Sequence, residues 1–476
     1  RNRDLRYFTR EMWSSVEKSF LQRSGRQERY EGEKIPVIEV GNIYELGKIV
    51  ALRFIEWIAS HPEGVVALPT GKTPEYFIKT LERYRLNWND ADVVQERVGY
   101  GLDSSITTFP DTSRLHFVML DEFFPMLPTH RNSFCNYVRT FYTGPLGIKN
   151  ENILDFDLIS HQVITEEDMN QFDKVVDLSL LTRDANNELE KTQKAILLKV
   201  QAYCDEYEKK IQAFGGIGFF LGGIGPDGHI AFNQEGCDHN SLTRLVPFNY
   251  PSAAAAAGDL GGIEIARGKA AATIGLGTIT WKKDATIIIM AAGEGKAAVV
   301  RDAIENEPAP ARPASVLQGL PGARFYITHG AAMKLTMRKQ EKVQQVDDTC
   351  LQWALNHLSG NVRSTSPYMI QPPADYLLLE SGIYDVSLKT KIPVHKLRLQ
   401  EIQNRGHQII ELPKWMLDNE LAFQIICSCA SRRLKEKING GIIESSPVGK
   451  KILHTAPHHD DIMLSYHCAM HEMLGR

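Results

Sequence analysis

The chain has 476 residues, 43% hydrophobic and 24% charged, the balance of a folded globular protein rather than a disordered or fibrous one. Its 54 Lys and Arg against 58 Asp and Glu leave a net charge of −4, which excludes a global pull toward nucleic acid or an anionic membrane. No apolar run approaches the roughly 18 residues of a membrane span, and no signal-peptide core opens the chain. Residues 1–33 are polar and charged and read as an exposed, charged helical extension; Arg1 in place of Met points to a longer gene product. From Lys34, apolar strands alternate with helices. Strands are expected at 36–40, 65–68, 115–120, 217–221, 286–290 and 324–328, each short and rich in Val, Ile, Leu or Phe, as buried parallel strands are. Helices are expected at 43–59 and 198–214, the second with Val200, Cys204, Tyr207, Ile211 and Phe214 on one stripe. This alternation predicts an α/β fold: a doubly wound, mostly parallel sheet with helices on both faces, filling residues 34–335. Residues 336–449 are richer in helix formers, with a turn-like stretch at 364–373, and read as a mainly helical connecting segment. Residues 450–476 open with KILHTA, the first strand of a second α/β domain.

Seven scattered cysteines (Cys135, Cys204, Cys237, Cys350, Cys427, Cys429 and Cys468) argue against a disulfide framework and for a reducing cytoplasm. Cys427 and Cys429 form a lone C-x-C without the second pair that a structural zinc site needs.

Ligands of a doubly wound sheet sit at the C-terminal ends of its strands, so motifs that directly follow strands carry the functional signal. The 65–68 strand runs into PTGKTP, residues 69–74. A Gly-containing turn between strand and helix offers free N–H groups and the positive helix end to an anion. Thr70, Lys72 and Thr73 add donors, and Pro74 suits a first helical turn. GKT also occurs in the nucleotide loop of ATPases, and VMLDE at 118–122 looks like their acidic strand. That loop needs a Gly separated by four residues from its GK pair. Here the position is Val66, and Gly64 lies two residues too early. LDEFF places Asp121 and Glu122 just after the 115–120 strand, as cleft carboxylates or as a helix cap. The run LGGIGPDGHIAFN, residues 221–233, is the most specific. Its glycines allow tight turns beside a ligand. Asp227, two residues from His229, is placed to orient the imidazole for proton transfer.

LPTGKTP (68–74), LDEF (120–123), H-x-x-SF (130–134), YEKKIQAFG (207–215), GGIGPDGHIAFN (222–233), TIGLGTI (273–279) and GEGKA (293–297) are collinear with glucosamine-6-phosphate deaminase, and over residues 34–335 the sequence resembles that family. The resemblance implies a doubly wound α/β enzyme of amino sugar metabolism, cytoplasmic and commonly a homo-oligomer. Such an enzyme converts glucosamine 6-phosphate and water to fructose 6-phosphate and ammonia without metal or organic cofactor. It implies that Asp121 moves the proton between C2 and C1 and that His229, oriented by Asp227, opens the sugar ring. It implies that Thr70, Gly71, Lys72 and Thr73 hold the phosphate with Lys296, and that Arg244 matches a position tied to an allosteric effector. The expected partner is a small sugar phosphate, with no nucleic acid and no membrane.

Two departures stand out. The family follows AFN with a Glu that assists the imidazole, whereas this chain has Gln234 there and Glu235 one place later. Gln can hydrogen-bond an imidazole but carries no charge. Either Glu235 replaces the missing acid, or ring opening is slower, or the substrate differs. The family's phosphate-binding Arg falls where this chain reads SAAAAAGD, residues 252–259, and no Arg lies between Arg244 and Arg267. The alternatives to a deaminase are an isomerase or lactonase for another sugar phosphate, and a non-catalytic sugar-phosphate sensor.

The PHHDD segment after KILHTA resembles the opening motif of zinc-dependent N-acetylglucosaminyl de-N-acetylases, with His458 and Asp461 as the implied metal ligands and Asp460 as the base. The pattern departs at His459 and Ile462, and the chain ends fifteen residues after Asp461. A zinc site and a deacetylase joined to the deaminase are expected where the longer gene product completes that domain.

Overall fold

Strands that are mainly apolar on both sides have two faces to bury, and here helices bury them. The computed structural model describes residues 13–172, 175–260, 262–360, 372–404, 406 and 409–440. The chain divides after Met337 into two units.

In the first unit the strands in chain order are β1 (Val37–Val40), β2 (Val65–Ala67), β3 (His116–Val118), β4 (Asp121–Phe124), β5 (Ile153–Leu154), β6 (Phe219–Gly223), β7 (Arg244–Pro247), β8 (Ala270–Thr273), β9 (Thr286–Ala291) and β10 (Ala323–Thr328). Between them run α1 (Ser15–Ser24), α2 (Ile43–Ser60), α3 (Glu75–Leu86), α4 (Ala91–Gly99), α5 (Phe134–Val138), α6 (Glu166–Met169), α7 (Glu188–Ala213) and α8 (Tyr250–Leu260). Seven strands form one parallel sheet in the order β1-β10-β9-β6-β2-β3-β5. Every residue of β1, β2 and β10 is buried, which requires cover on both faces.

The chain leaves β2 toward β3 on one side of this sheet and leaves β6 toward β9 on the other. Neighbouring strands whose connections diverge open a crevice at their C-terminal ends. The loops that follow β2 and β6 are PTGKTP and the glycine-rich run.

All six expected strands are present, shifted by at most two residues at either end. The expected 198–214 helix begins ten residues earlier, at Glu188, because Asn187 caps it and its polar first turns lack an apolar stripe. A second sheet, antiparallel β4-β8-β7, was not anticipated. Its strands read DEFF, AAAT and RLVP, none with the β-branched alternation that marks a strand.

The expected exposed extension is corrected. Ser14 and Glu17 form a capping box on α1, and Trp13, Val16 and Phe20 enter the main core. Buried Glu17 accepts a hydrogen bond from Tyr326 Oη on β10 at 2.7 Å. Residues 1–12 lie outside the described residues.

The second unit is helical, and it also corrects an expectation. Helices Thr349–Ser359, Ala374–Thr390 and Glu420–Gly440 enclose Tyr376, Leu379, Ile383, Phe423 and Ile426. Buried Glu380 pairs with Arg433 and Lys437, each at 3.2 Å. This part of the chain therefore has its own hydrophobic core and is more than a connector. Cys427 and Cys429 are buried free thiols within it. Most of the 364–373 turn and all of residues 450–476, with KILHTA, His458, Asp460 and Asp461, lie outside the described residues. Among the described residues no helix is long and apolar enough to cross a membrane.

Candidate active site

The loop after β2 is held open by tyrosines from a distant segment. Tyr142 Oη donates to Pro69 O at 2.7 Å, and Tyr137 Oη donates to Gly71 O at 2.9 Å. Tyr137 lies on α5 and Tyr142 on the π-turn Arg139–Thr143 that continues it. Gly71 sits at φ +90°, a conformation that L side chains rarely adopt. Pro74 occupies the N-cap of α3 and offers no side-chain acceptor; the Glu75 N–H donates to Lys72 O at 3.3 Å, and the N–H groups that follow have no side-chain cap.

β4 divides its two carboxylates by the strand's alternation. Glu122 accepts from Ser133 Oγ at 2.6 Å and from the backbone N–H groups of Phe123, Phe134 and Cys135 at 2.9, 3.1 and 2.8 Å. It anchors the start of α5 and is structural. Asp121 is only 6% exposed, and its carboxylate has no hydrogen-bond partner among the described residues. Burial, with a smaller contribution from the Glu122 charge, pushes its pKa up to about 8.

After β6 the chain folds back on itself. Asn233, fully buried, donates to Ile230 O at 3.0 Å and Ile274 O at 2.8 Å, and Ala231 takes a left-handed φ of 51°. The His229 ring lies flat against Gly225, where an added Cβ would come within 2.1 Å of Cε1 and 2.3 Å of both ring nitrogens. His229 Nδ1 donates to Asp227 Oδ1 at 2.5 Å, which makes Nε2 the free acceptor of the neutral ring. Burial opposes ionisation of Asp227, but the bonds from His229 and Asn249 outweigh it and hold the carboxyl well below the usual range.

These pieces enclose one cavity of about 370 Å³, within the roughly 300–1,000 Å³ of small-molecule sites. Thr70, Gly71, Lys72 and Thr73 line one part, and Asp121 and His229 line another. Phe123, Phe134 and Phe232 form an aromatic wall, and α8 contributes Ser252, Ala255, Ala256 and Gly258. Among these described lining residues Lys72 is the only Lys or Arg.

Five expected site residues among those described do not line the cavity: Asp227, Gln234, Glu235, Arg244 and Lys296. Asp227 is connected to it through its bond to His229. Gln234 bonds to Asn249 and Pro247 and does not reach the imidazole. Glu235 is exposed. Arg244 donates to Asn233 Oδ1, Leu242 O and Cys237 Sγ, each at 3.0 Å. Lys296 ends the turn Glu294–Lys296 after β9; burial lowers its pKa while the Asp227 charge opposes that shift. Sequence reasoning missed Asn249, Tyr137 and Tyr142. An Asn just before a Pro-containing helical turn, N-Y-P-S, is a helix-start signal that marks Asn249. Among the described residues no group of three or more His, Cys, Asp and Glu side chains gathers as a metal site.

No family model matches the chain. Glucosamine-6-phosphate deaminase 2 of Giardia intestinalis is 28% identical over 288 residues, 60% of this chain and 87% of the relative. The deaminase of Rhodopirellula baltica is 29% identical over 289 residues, 61% of this chain and 91% of the relative. Over these stretches the chain is similar in sequence to glucosamine-6-phosphate deaminases. The deaminase of Borreliella afzelii reaches 43% identity over 109 residues, 23% of this chain and 40% of that one. Solved structures similar to the chain include a monomeric glucosamine-6-phosphate deaminase, at 23% identity and TM-score 0.46, covering 63% of this chain and 99% of that one. A 6-phosphogluconolactonase from Trypanosoma cruzi has 16% identity and TM-score 0.41, covering 63% and 96%.

Proposed function

We propose that the protein is an enzyme that converts glucosamine 6-phosphate and water to fructose 6-phosphate and ammonia. The observation that carries this reading is the cavity that joins an unpartnered, buried Asp121, an Asp227-oriented His229 and an open anion loop. His229 Nε2 takes the proton of the C1 hydroxyl and returns one to the ring oxygen, which opens the ring. Asp121 then removes the C2 proton and delivers it to C1. The resulting C2 imine adds water and releases ammonia. Each proton step is assigned to a side chain, so the proposed route uses no metal or organic cofactor, and turnover is expected to survive a chelator.

Asp121 favours an amino sugar over a neutral hexose phosphate. A buried carboxylate without a counter-ion is stabilised by an incoming cation, and the C2 ammonium supplies one, lowering the Asp121 pKa in the complex. The test is ammonia release by the pure protein. Release from glucosamine 6-phosphate alone, in a panel of hexose phosphates and a lactone, supports the reading, and release at background level overturns it. An isomerase or lactonase is the second reading, because α8 presents only Ser, Ala and Gly to the cavity where the family's Arg is expected.

With Lys72 the lone cation in the lining, Lys72→Ala is expected to raise KM about tenfold with little change in kcat, since a phosphate anchor acts equally on ground and transition states. Steady-state kinetics read this directly. A cytoplasmic setting fits the six described cysteines, all of them free. The homo-oligomer and a substrate derived from N-acetylglucosamine rest on the resemblance, and sedimentation velocity reads the first.

A further inference from the structure

We infer that Asn249, held in place by Gln234, is a positioning residue that fixes the Asp227–His229 pair; the inference rests on the deaminase reading of the site. Asn249 Nδ2 donates to Asp227 Oδ2 at 2.7 Å, while Asp227 Oδ1 accepts from His229. The Asn249 amide has one possible orientation. Its Oδ1 accepts the Ser252 N–H at 2.9 Å as the N-cap of α8, so Nδ2 faces the carboxylate. Gln234 is fixed in the same way. Its Oε1 accepts the Asn249 N–H at 2.8 Å and its Nε2 donates to Pro247 O at 2.8 Å.

A Glu at position 234 has no donor for the Pro247 carbonyl. The Gln thus turns from the imidazole to clamp the residue that holds Asp227, and a proton carrier is replaced by a brace. Both oxygens of Asp227 are engaged, so the carboxylate cannot rotate and the imidazole keeps one tautomer. The titratable groups facing Asp227 are His229 from its own loop and Lys296 from the turn after β9; the start of α8 offers Asn249, its cap, and Ser252.

The experiment uses two variants that both retain an N-cap. Asn249→Ser keeps the cap but does not reach Asp227. It is expected to lower kcat about tenfold, with KM and melting temperature nearly unchanged. Asn249→Asp keeps the bond only while a proton is shared between the two carboxyls, so its kcat is expected to match wild type at acid pH and to fall as pH rises and that proton leaves. Nitrogen-15 NMR of the His229 ring, assigned against His229→Gln, is expected to show a fixed Nδ1–H tautomer in wild type and a mixture in Asn249→Ser. Unchanged kcat and ring signals in Asn249→Ser would overturn the inference, as would a loss of melting temperature with unchanged ring signals. If wild type released no ammonia the deaminase reading would fail, and the ring signals alone would decide the role of Asn249.

Discussion

Asp121→Asn is expected to lower ammonia release by about 10²–10⁴-fold, the usual weight of a positioned acid–base group, and to make the protein more stable. The two effects have one cause. The folded pKa of about 8 lies above that of an unfolded carboxyl, near 3.9, so the native state holds the proton more tightly. The stability associated with that proton is complete below the unfolded pKa and is lost as pH rises through about 8. Asn does not titrate. Its advantage over wild type therefore grows from about pH 4 and levels off above about pH 8, on the order of 5 kcal/mol at the plateau for a pKa raised from about 3.9 to about 8. Thermal melts across that range read the growth, and a pH-independent difference would contradict it. In wild type the acid limb of kcat/KM, which reports the free enzyme, is expected near the same pH. The C2 proton should exchange with deuterated water in wild type and not in Asp121→Asn.

Gly225→Ala is the second large effect. The added methyl would meet the imidazole at 2.1 Å, well inside contact distance, and moving the ring away strains its 2.5 Å bond to Asp227. The ring must move by more than 1 Å, enough to cost about 10²-fold in kcat. The backbone is not forced to move, because the Gly225 N–H bond to His229 O, at 2.9 Å, is one any residue can make. Circular dichroism and melting temperature should stay close to wild type. A kcat within threefold of wild type would mean that the His229 ring position is not what limits turnover.

The parallel sheet was readable because its strands are dominated by apolar residues and the loops that line the cavity are short runs directly after strands. Asp121, His229 and the loop of residues 69–73 line one cavity for that reason, with Asp227 bonded to His229. What sequence did not reveal acts through single hydrogen bonds across long separations. Asn249 reaches Asp227 over 22 residues, Tyr137 reaches Gly71 over 66, and Tyr142 reaches Pro69 over 73. Gln234 was visible as a departure, but its partners were not, because they depend on where β7 ends. The β4-β8-β7 sheet escaped notice because its Ala-rich middle strand has helical composition, and tertiary pairing overrides that preference.

The segment from Asp121 to Thr143 carries the proposed base, the Glu122 anchor of α5, and both tyrosines that hold the loop after β2. His229, Asp227, Asn249 and Gln234 belong to the other side of the crevice, between β6 and α8. The site is therefore braced from two sides, which the β4-β8-β7 sheet and the contact of Phe123 with Phe232 join. Substitutions in direct contact, such as Asn249→Ser with Gln234→Ala, are expected to be strongly non-additive in double-mutant cycles, because both act on the same bonded chain to Asp227.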